Sequence, residues 1–324
     1  MRGCALVCAL LCPLLMLVPR PGAAQGYPEK PVKLVVPFAA GGPADALGRI
    51  LGEKLNQHWG QPVIIENRGG AGGNVGAAAV ARAAPDGYTL LLNASSHVIN
   101  ASLSENLPYD PIQDFTPISE VASYMLVLVS HPSVPVATLR EFVDFARSQP
   151  TGLTVANAGS GTPTHLAAVL FGQAADLNFV HLSYRGAAPA TNDVLAGHVP
   201  AMFNNPVNAV RQVKANSLRG LAVTGSKRLA LLPELPTIAE LGYLGFETRT
   251  WYGLFGPAHM APEHVAKVFA DLQWALHAPD VIEKLNAQGW DIVGSSLAEF
   301  VLVLQSELDR WSAVIKNAKI KPEN

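Results

Sequence analysis

A strand, a loop and a helix start are predicted by the sequence Val32-Lys33-Leu34-Val35-Val36-Pro37-Phe38-Ala39-Ala40-Gly41-Gly42-Pro43. Its first five residues are mostly branched and aliphatic, which predicts a buried strand. A loop of small residues then leads to Pro43, which suits the first position of a helix because its missing N–H is not needed there. Apolar residues recur at three- and four-residue spacings through 46–59 and predict one buried helical face, which Gly60 ends.

Strand and helix patterns of this kind alternate along most of the chain. Further strands are predicted near 62–66, 88–92, 124–129, 153–156, 179–184, 199–203 and 218–224. Helices are predicted near 138–148, 163–175, 187–196 and 207–215, and from 262 to 319 the pattern is nearly all helical, with breaks at 279 and 289. Repeated βα units predict an α/β fold with parallel sheets, and with ligands bound outside the carboxyl ends of the strands.

Two extended segments interrupt this alternation and predict two α/β domains. An apolar run occupies 121–131, and an aromatic strand between glycines occupies 246–255. If the chain crosses between domains at both places, the first domain is discontinuous. It then consists of residues 25–123 plus 247–324, and the second domain of residues 124–246.

The composition excludes several classes of protein. The 324 residues include 23 Lys and Arg against 25 Asp and Glu, a formal net charge of −2. Nucleic-acid binding usually requires a basic face, so no nucleic acid is expected as a partner. The apolar content of 49% is ample for folded cores and excludes general disorder.

The first 24 residues predict a cleaved signal peptide. Arg2 precedes an apolar run over 4–18, and Gly22-Ala23-Ala24 forms a small-residue cleavage site, so Gln25 is the expected start of the mature chain. All three cysteines lie inside this segment. The mature protein is therefore expected to be exported and to lack disulfides, thiolate nucleophiles and cysteine-based metal sites.

Four strand ends lead through a small-residue loop into a helix start. These loops span 37–43, 67–74, 157–163 and 185–187. Asn74 and Thr162 are expected to cap the helices that follow them. Glycine lets a ligand approach the backbone, and helix starts offer unpaired N–H groups with a partial positive charge. A tight turn explains any one such loop, but four of them shared between two domains indicate a cleft that binds an anion, notably a carboxylate.

A catalytic interpretation of the third loop has less support. Gly159-Ser160-Gly161 is similar to a nucleophile elbow, but that motif needs glycine two residues on either side of the serine, where this chain has Ala158 and Thr162. His165 could serve Ser160 as a base, yet no acid partner is indicated. An exported serine hydrolase that uses Ser160 stays open as the less favoured alternative. The nine histidines show no metal-ligand spacing, so no metal and no cofactor are expected.

Ordered segments along the whole mature chain carry a resemblance to one family. They are Tyr27-Pro28-Glu29-Lys30-Pro31, Val35-Val36-Pro37-Phe38, Gly41-Gly42-Pro43-Ala44-Asp45, Pro62-Val63-Ile64-Ile65-Glu66-Asn67-Arg68, Gly72-Gly73-Asn74-Val75-Gly76, Pro85-Asp86-Gly87-Tyr88-Thr89-Leu90, Leu107-Pro108-Tyr109-Asp110-Pro111, Leu235-Pro236-Thr237-Ile238 and Trp251-Tyr252-Gly253-Leu254-Phe255. With these segments the chain resembles the extracytoplasmic solute receptors of tripartite tricarboxylate transporters, the Bug family. Gly69 departs from the pattern, since the family commonly has proline there.

The resemblance implies a type II periplasmic binding protein, in which two α/β domains are joined by two hinge strands and a ligand cleft lies between them. The implied function is to capture a small organic acid in the periplasm and deliver it to the membrane subunits of a tripartite tricarboxylate-type transporter, without catalysis and as a monomer. A receptor that reports its ligand to a signalling partner stays open as an alternative. The ligand also stays open among dicarboxylates, tricarboxylates, amino acids, aromatic acids and neutral amides.

The resemblance also places ligand-binding roles on both domains. In the first domain these roles fall on Phe38, Ala40, Gly41, Gly42, Asp45, Ser95 and Ser96. In the second domain they fall on Ser160, Gly161, Thr162, His165, Tyr184, Arg185, Gly186, Ala187 and Asn204. Family members hold the ligand's carboxylate mainly with backbone and hydroxyl groups of the second domain, and water bound by the first domain helps to fix the other end. This agrees with the anion cleft inferred from the helix starts.

Overall fold

The computed structural model describes residues 26–104 and 106–317 of the chain. Its strands are β1 (Val32–Val36), β2 (Val63–Asn67), β3 (Thr89–Ala94), β4 (Phe115–Met125), β5 (Val127–Ser130), β6 (Leu153–Asn157), β7 (Phe179–Ser183), β8 (Ala201–Asn204), β9 (Arg219–Val223), β10 (Arg249–Pro257) and β11 (Asp291–Ile292). Its helices are α1 (Pro43–Trp59), α2 (Asn74–Ala81), α3 (Ser96–Leu103), α4 (Leu139–Arg147), α5 (Pro163–Ala175), α6 (Ala187–Leu195), α7 (Pro206–Lys214), α8 (Pro262–Leu276), α9 (Pro279–Ala287) and α10 (Leu297–Asn317). The predicted signal peptide, residues 1–24, lies outside the described residues.

The strands form two sheets. The first has six strands in the order β11-β4-β10-β3-β1-β2, and the second has five in the order β7-β6-β8-β5-β9. We call the part built on the six-stranded sheet the first lobe, and the part built on the five-stranded sheet the second lobe. The chain leaves the first lobe between β4 and β5 and returns to it through β10, so we call β4 and β10 the hinge strands. The domain boundaries at 123/124 and 246/247 stay predictions.

Both sheets are mixed, so the prediction of parallel sheets is wrong in part. β1 pairs in parallel with β2 and β3, and β6 pairs in parallel with β7 and β8. However, β10 runs antiparallel to β3 and β4, and β5 runs antiparallel to β8 and β9. The reason in the first sheet is topological. Because β4 carries the chain out of the first lobe and β10 brings it back, these two neighbours run in opposite directions.

The stretch that begins the fold has the predicted structure. β1 covers Val32–Val36, and α1 runs over Pro43–Trp59 with proline at its start. Gly60 ends α1 in the left-handed conformation, with φ of 64°, and its N–H donates to the carbonyl oxygen of Asn56 at 3.0 Å. Buried leucines of α1 and alternate residues of β1 share one hydrophobic core. Each fully buried leucine contributes roughly 1.5–3 kcal/mol to this packing, which fixes the loop between β1 and α1.

The two predicted helix caps have a different bonding pattern. Asn74 is the first residue of α2, and Gly73 takes the N-cap position in the left-handed region, with φ of 106°. The Asn74 side chain instead accepts a hydrogen bond from Asn100 Nδ2 at 2.7 Å. Thr162 does occupy the N-cap position of α5, but its hydroxyl donates to the carbonyl oxygen of Gly159 at 2.6 Å and makes no cap bond. In both cases a tertiary or loop partner competes successfully with the helix end.

The C-terminal region is helical with one interruption that the sequence pattern does not predict. α8 ends at Leu276, and α9 spans Pro279–Ala287, as the predicted breaks require. The short strand β11 follows and pairs with β4 before α10 begins. α8 and α9 pack against α1, and α10 packs against α3, so these helices belong to the first lobe. Within the described residues, no helix combines the length and apolar character needed to cross a bilayer.

Candidate functional site

A small cavity lies where the two lobes and the hinge strands meet, and we call it the inner cavity. Its volume is about 30 Å³. The first lobe contributes Phe38, Gly42, Pro43, Ala44 and Ala94, the second lobe contributes Ala158, Thr162, Pro163, Thr164, Ala187 and Asn205, and the hinge strands contribute Tyr124, Thr250 and Tyr252. None of these side chains is charged, and six of them carry a hydroxyl or an amide.

Four helices begin at the inner cavity. α1 begins at Pro43 in the first lobe, and α5, α6 and α7 begin at Pro163, Ala187 and Pro206 in the second lobe. The first N–H groups of a helix have no partner inside the helix, and the aligned peptide dipoles place a partial positive charge there. An anion in the inner cavity therefore meets a positive potential from both lobes without meeting a charged side chain.

The hinge wall of the inner cavity carries hydroxyl groups. Thr250 is 1% exposed, and its Oγ1 has no hydrogen-bond partner within the described residues. The hydroxyl oxygens of Tyr124 and Tyr252 lie 3.0 Å apart, and burial raises the pKa of both, which keeps them neutral. A buried polar group without a partner costs about 1–3 kcal/mol. A ligand oxygen that accepts from Thr250 would remove this cost, which makes the wall a candidate binding surface.

Sequence reasoning missed the place of this wall at the inner cavity. It placed Trp251 and Tyr252 on an extended segment between the domains, without a ligand-binding role, and Trp251 is fully buried. The alternation of side chains along a strand could have indicated it, because residues two apart lie on the same face. Thr250 and Tyr252 therefore lie on one face of β10, and the register places Tyr124 of β4 opposite Thr250.

Two wider cavities lie along the interface between the lobes. The outer cavity, of about 300 Å³, is lined by Phe38, Gly70, Ala71, Gly72, Gly73, Ala158, Gly159, Ser160, Ser183, Tyr184 and Arg185. The side cavity, of about 220 Å³, is lined by Gly41, Ala188, Thr191, Asn192, Leu195, Val207, Asn208, Arg211 and Gln212. The outer cavity shares Phe38 and Ala158 with the inner cavity, whereas the side cavity shares no lining residue with it.

The lobes touch each other through their backbones. The N–H of Ala39 in the first lobe donates to the carbonyl oxygen of Arg185 in the second at 3.2 Å. A Cβ atom on Gly72 would overlap the carbonyl oxygen of Ser160 on the opposite side of the cleft. Gly72 also has φ of 62°, which glycine adopts at no steric cost. The glycines of this loop therefore allow the lobes to close directly onto each other.

The predicted ligand-binding residues are divided among the three cavities. Phe38, Gly42, Thr162 and Ala187 line the inner cavity. Ser160, Tyr184 and Arg185 line the outer cavity, and Gly41 lines the side cavity. The loops that sequence reasoning selected therefore do meet at the lobe interface, but at different depths.

Asp45 and His165, also predicted to bind the ligand, form hydrogen bonds with residues close to them in the chain. The Asp45 carboxylate accepts from the N–H of Gly41 at 3.0 Å and from Arg49 Nε at 2.9 Å. Burial alone would raise the pKa of Asp45, but these hydrogen bonds lower it, so the carboxylate stays charged. His165 Nδ1 accepts from the N–H of Gly161 at 3.3 Å. Burial, together with the neighbouring His181, lowers the pKa of His165 to about 4 and keeps its ring neutral.

The remaining predicted residues lie next to lining residues. Ser95 and Ser96 follow β3, Asn204 ends β8, and all three are buried. Oγ of both serines and Nδ2 of Asn204 have no hydrogen-bond partner within the described residues. Ala40 is exposed, and Gly186 precedes α6 with φ of 148°. The ligand-binding roles of these residues stay predictions.

The geometry does not favour a serine hydrolase. Ser160 lines the outer cavity, and the only hydrogen bond of His165 within the described residues is the one it accepts from the N–H of Gly161. A triad base must instead hydrogen-bond the nucleophile and be oriented by a third group. The described residues also contain no cluster of three or more His, Cys, Asp or Glu side chains that could hold a metal ion.

Two α/β lobes, two hinge strands and an interlobe cavity at converging helix starts define a solute-binding protein with the type II periplasmic fold. A family model described as "Tripartite tricarboxylate transporter family receptor" matches residues 47–320. The chain belongs to this receptor family, whose members are periplasmic solute-binding proteins rather than enzymes.

Two related sequences match nearly the full length of the chain. A protein of the UPF0065 group, encoded in the tcbD-tcbE intergenic region of a Pseudomonas species, is 36% identical over 292 residues, which cover 90% of this chain and 87% of the relative. Protein BugT of Bordetella pertussis is 33% identical over 305 residues, which cover 93% of this chain and 94% of BugT.

Three solved structures are similar to the chain over most of its length. The periplasmic binding protein BugD has a TM-score of 0.89 at 33% identity, covering 92% of this chain and 100% of BugD. Rpa4515 of R. palustris, solved with adipate, has a TM-score of 0.89 at 32% identity, covering 92% and 100%. MatC from Rhodopseudomonas palustris, solved with bound malate, has a TM-score of 0.85 at 32% identity, covering 89% and 100%.

Proposed function

We propose that this protein captures a small carboxylate in the inner cavity and delivers it to the membrane subunits of a tripartite tricarboxylate-type transporter. The observation that carries the proposal is the convergence of four helix starts from both lobes on one uncharged cavity. This arrangement compensates a negative charge without a basic side chain. The unpartnered hydroxyl of Thr250 and the adipate and malate of two related structures support the same ligand chemistry.

Ligand capture works by closure of the lobes. A cavity of about 30 Å³ has room for about two water molecules, so a carboxylate of several carbon atoms requires the lobes to separate and close again around it. Because α1 lies in one lobe and α5, α6 and α7 lie in the other, the ligand meets all four helix starts only in the closed form. This differential contact is what lets binding shift the equilibrium toward closure.

Export and assembly follow from the same proposal. The chain is exported to the periplasm by the signal peptide at 1–24, which is cleaved before Gln25. The mature protein acts as a monomer whose closed, ligand-bound form docks on the membrane subunits. The uncharged cavity fits a carrier role, since a carboxylate held by helix starts and hydroxyls leaves without covalent change.

Thermal unfolding with a panel of ligands tests the proposal. The protein is refolded from denaturant to remove bound ligand and is heated with monocarboxylates, dicarboxylates, tricarboxylates and neutral amides. A ligand present at 100 times its Kd adds about 2.7 kcal/mol to the free energy of unfolding, which raises Tm by a few degrees for a chain of this size. A rise in Tm with at least one carboxylate is expected. A rise with amides alone, or with no compound, would contradict the proposal.

A charged side chain placed in the inner cavity gives a second test. Ala187 lines this cavity as the first residue of α6, where a carboxylate is favourable for the helix but occupies the place of the ligand. Ala187→Asp is expected to reduce carboxylate affinity at least tenfold by calorimetric titration. Asn192→Asp is the matched control, because Asn192 lies on the same helix but lines the side cavity. Equal affinities in the two variants would place the carboxylate elsewhere.

A further inference from the structure

The inner and outer cavities are neighbours with opposite electrostatic character. They share Phe38 from the first lobe and Ala158 from the second, so these two residues separate one cavity from the other. The inner cavity has no charged lining residue, whereas the lining of the outer cavity includes Arg185. The outer cavity is also about ten times larger, at about 300 Å³ against about 30 Å³.

The guanidinium of Arg185 is free to bind a ligand. Its side chain is exposed and forms no hydrogen bond or ion pair with any described residue. Arg68, the other arginine that follows a strand in this region, has its Nε 2.6 Å from Glu66 Oε1, and Glu66 also pairs with Lys33. The nearby Asp193 carboxylate accepts from the hydroxyl of Tyr184 and from His198. Arg185 is therefore a cation without a counter-charge in the outer cavity.

Closure of the lobes holds Arg185 in place. Its carbonyl oxygen accepts the hydrogen bond from Ala39, the residue next to Phe38, at 3.2 Å. The backbone of Arg185 is thus tied to the first lobe in the closed form, beside the residue that separates the two cavities. A ligand group that emerges from the inner cavity past Phe38 then enters a space that Arg185 lines.

We propose that the outer cavity is a second anion subsite, in which Arg185 pairs with the distal carboxylate of a dicarboxylate whose first carboxylate occupies the inner cavity. This inference rests on the proposed function and adds a determinant of specificity to it. A guanidinium and a carboxylate form two parallel hydrogen bonds, which favours a doubly charged ligand over a singly charged one of the same length. Phe38 sets the length that the ligand needs, because its carbon chain must pass this ring before the second carboxylate reaches Arg185.

Calorimetric titration of the mature protein with matched ligands tests the subsite. The ligands are α,ω-dicarboxylates of four to eight carbons, each paired with the monocarboxylate of equal carbon number. Arg185→Gln removes the charge and keeps a polar side chain of similar reach. Arg211→Gln is the matched control, because Arg211 is also an exposed arginine that lines a cavity at the lobe interface, but that cavity shares no residue with the inner one.

We expect Arg185→Gln to lose affinity only for ligands that carry a second carboxylate. Arg185→Gln lowers the affinity for the preferred dicarboxylate about tenfold, in line with the loss of one charge-assisted pair, and leaves monocarboxylate affinity within about twofold. Arg211→Gln changes neither. Raising the salt concentration narrows the difference between wild type and Arg185→Gln, because the pair is open to solvent.

Other results would contradict either the proposed subsite alone or the proposed function as well. If Arg185→Gln weakens monocarboxylates and dicarboxylates equally, or weakens neither, the outer cavity is not a second anion subsite, while the proposed function stands. The same conclusion holds if Arg211→Gln has the same effect as Arg185→Gln. If the wild-type protein binds no carboxylate of either series, the proposed function itself fails, and the subsite fails with it.

Discussion

His97 and His165 are buried without a carboxylate partner within the described residues. His97 is 0% exposed, and its ring nitrogens contact Asn93 Nδ2 at 3.2 Å and the carbonyl oxygen of Pro111 at 2.9 Å. Burial lowers the pKa of His97 to about 4 and has the same effect on His165. Protonation therefore works against the folded state at both positions, one in each lobe.

A pH dependence of stability follows from these two residues. The unfolded chain binds protons at each histidine near pH 6.5, whereas the folded chain binds them only near pH 4, so the free energy of unfolding falls as pH drops through this window. At pH 5 each histidine costs about 2 kcal/mol relative to pH 7. Urea unfolding at pH 5 and pH 7 measures the combined loss of stability from the two histidines. His97→Gln is expected to remove about half of this loss. A pH-independent midpoint in the wild type would contradict this assignment.

The glycine loop at 70–73 determines how closely the two lobes approach each other. Its backbone meets the loop before α5 at Ser160, where any side chain on Gly72 would collide. The 3-10 turn over Ala71–Gly73 keeps Gly72 in the left-handed region. The loop therefore serves as part of the closed interface as well as the connection between β2 and α2.

Replacing Gly72 by alanine tests this role against a matched glycine. Gly72→Ala and Gly60→Ala introduce the same backbone strain, since φ is 62° and 64°, and each is expected to cost about 1 kcal/mol of stability. Only Gly72→Ala also obstructs closure, because a Cβ on Gly60 meets nothing within 4 Å. We expect Gly72→Ala to lose carboxylate affinity at least tenfold and to remain expanded with ligand in small-angle scattering. Wild-type affinity in Gly72→Ala would show that closure tolerates a side chain there.

The hinge strands connect the two lobes. Glu120 on β4 has a 2% exposed side chain and pairs with Arg249 at the start of β10, with Oε1 and Nη1 2.5 Å apart. The backbone N–H of Glu120 donates to Ser295 Oγ at 2.9 Å, which ties the segment before α10 to the hinge. Because the buried carboxylate of Glu120 is compensated by Arg249, the loss of this pair is expected to lower the stability of the fold.

Removal of the cation is expected to destabilise the whole protein. Arg249→Met leaves Glu120 buried without its counter-charge and lowers the free energy of unfolding by about 1–3 kcal/mol, less than for a fully buried pair because the Arg249 side chain is 40% exposed. Urea unfolding at pH 7 measures the loss. Adding Glu120→Gln to Arg249→Met is expected to restore part of it, since the lone charge is then gone. A double variant no more stable than the single one would show that the charge is not the cause.

Most local units of this fold follow from patterns in the sequence. The strand at 32–36, the glycine loop and the helix over 43–59 follow from patterns between near neighbours, as does α5, whose predicted bounds of 163 and 175 match those observed. The resemblance to one receptor family, read from segments spread along the chain, is confirmed by the comparisons. The start of α2 at Asn74 was predicted from the loop at 67–74, whereas α3 and β11 were missed because eight or fewer residues carry too little periodic pattern.

The surroundings of each loop residue depend on tertiary packing. The inner cavity joins Phe38, Tyr124, Thr162 and Thr250, which are remote in the chain. They meet because β4 and β10 are antiparallel neighbours in the six-stranded sheet and because the second lobe packs against the first. The same packing sends Ser160 and Arg185 to the outer cavity and leaves Asp45 bonded within its own loop. Local propensity acts over one or two turns of chain, so it fixes where a helix begins. The convergence of four helix N-termini on one cavity depends on how the two lobes pack and close, and no single stretch of sequence contains that information.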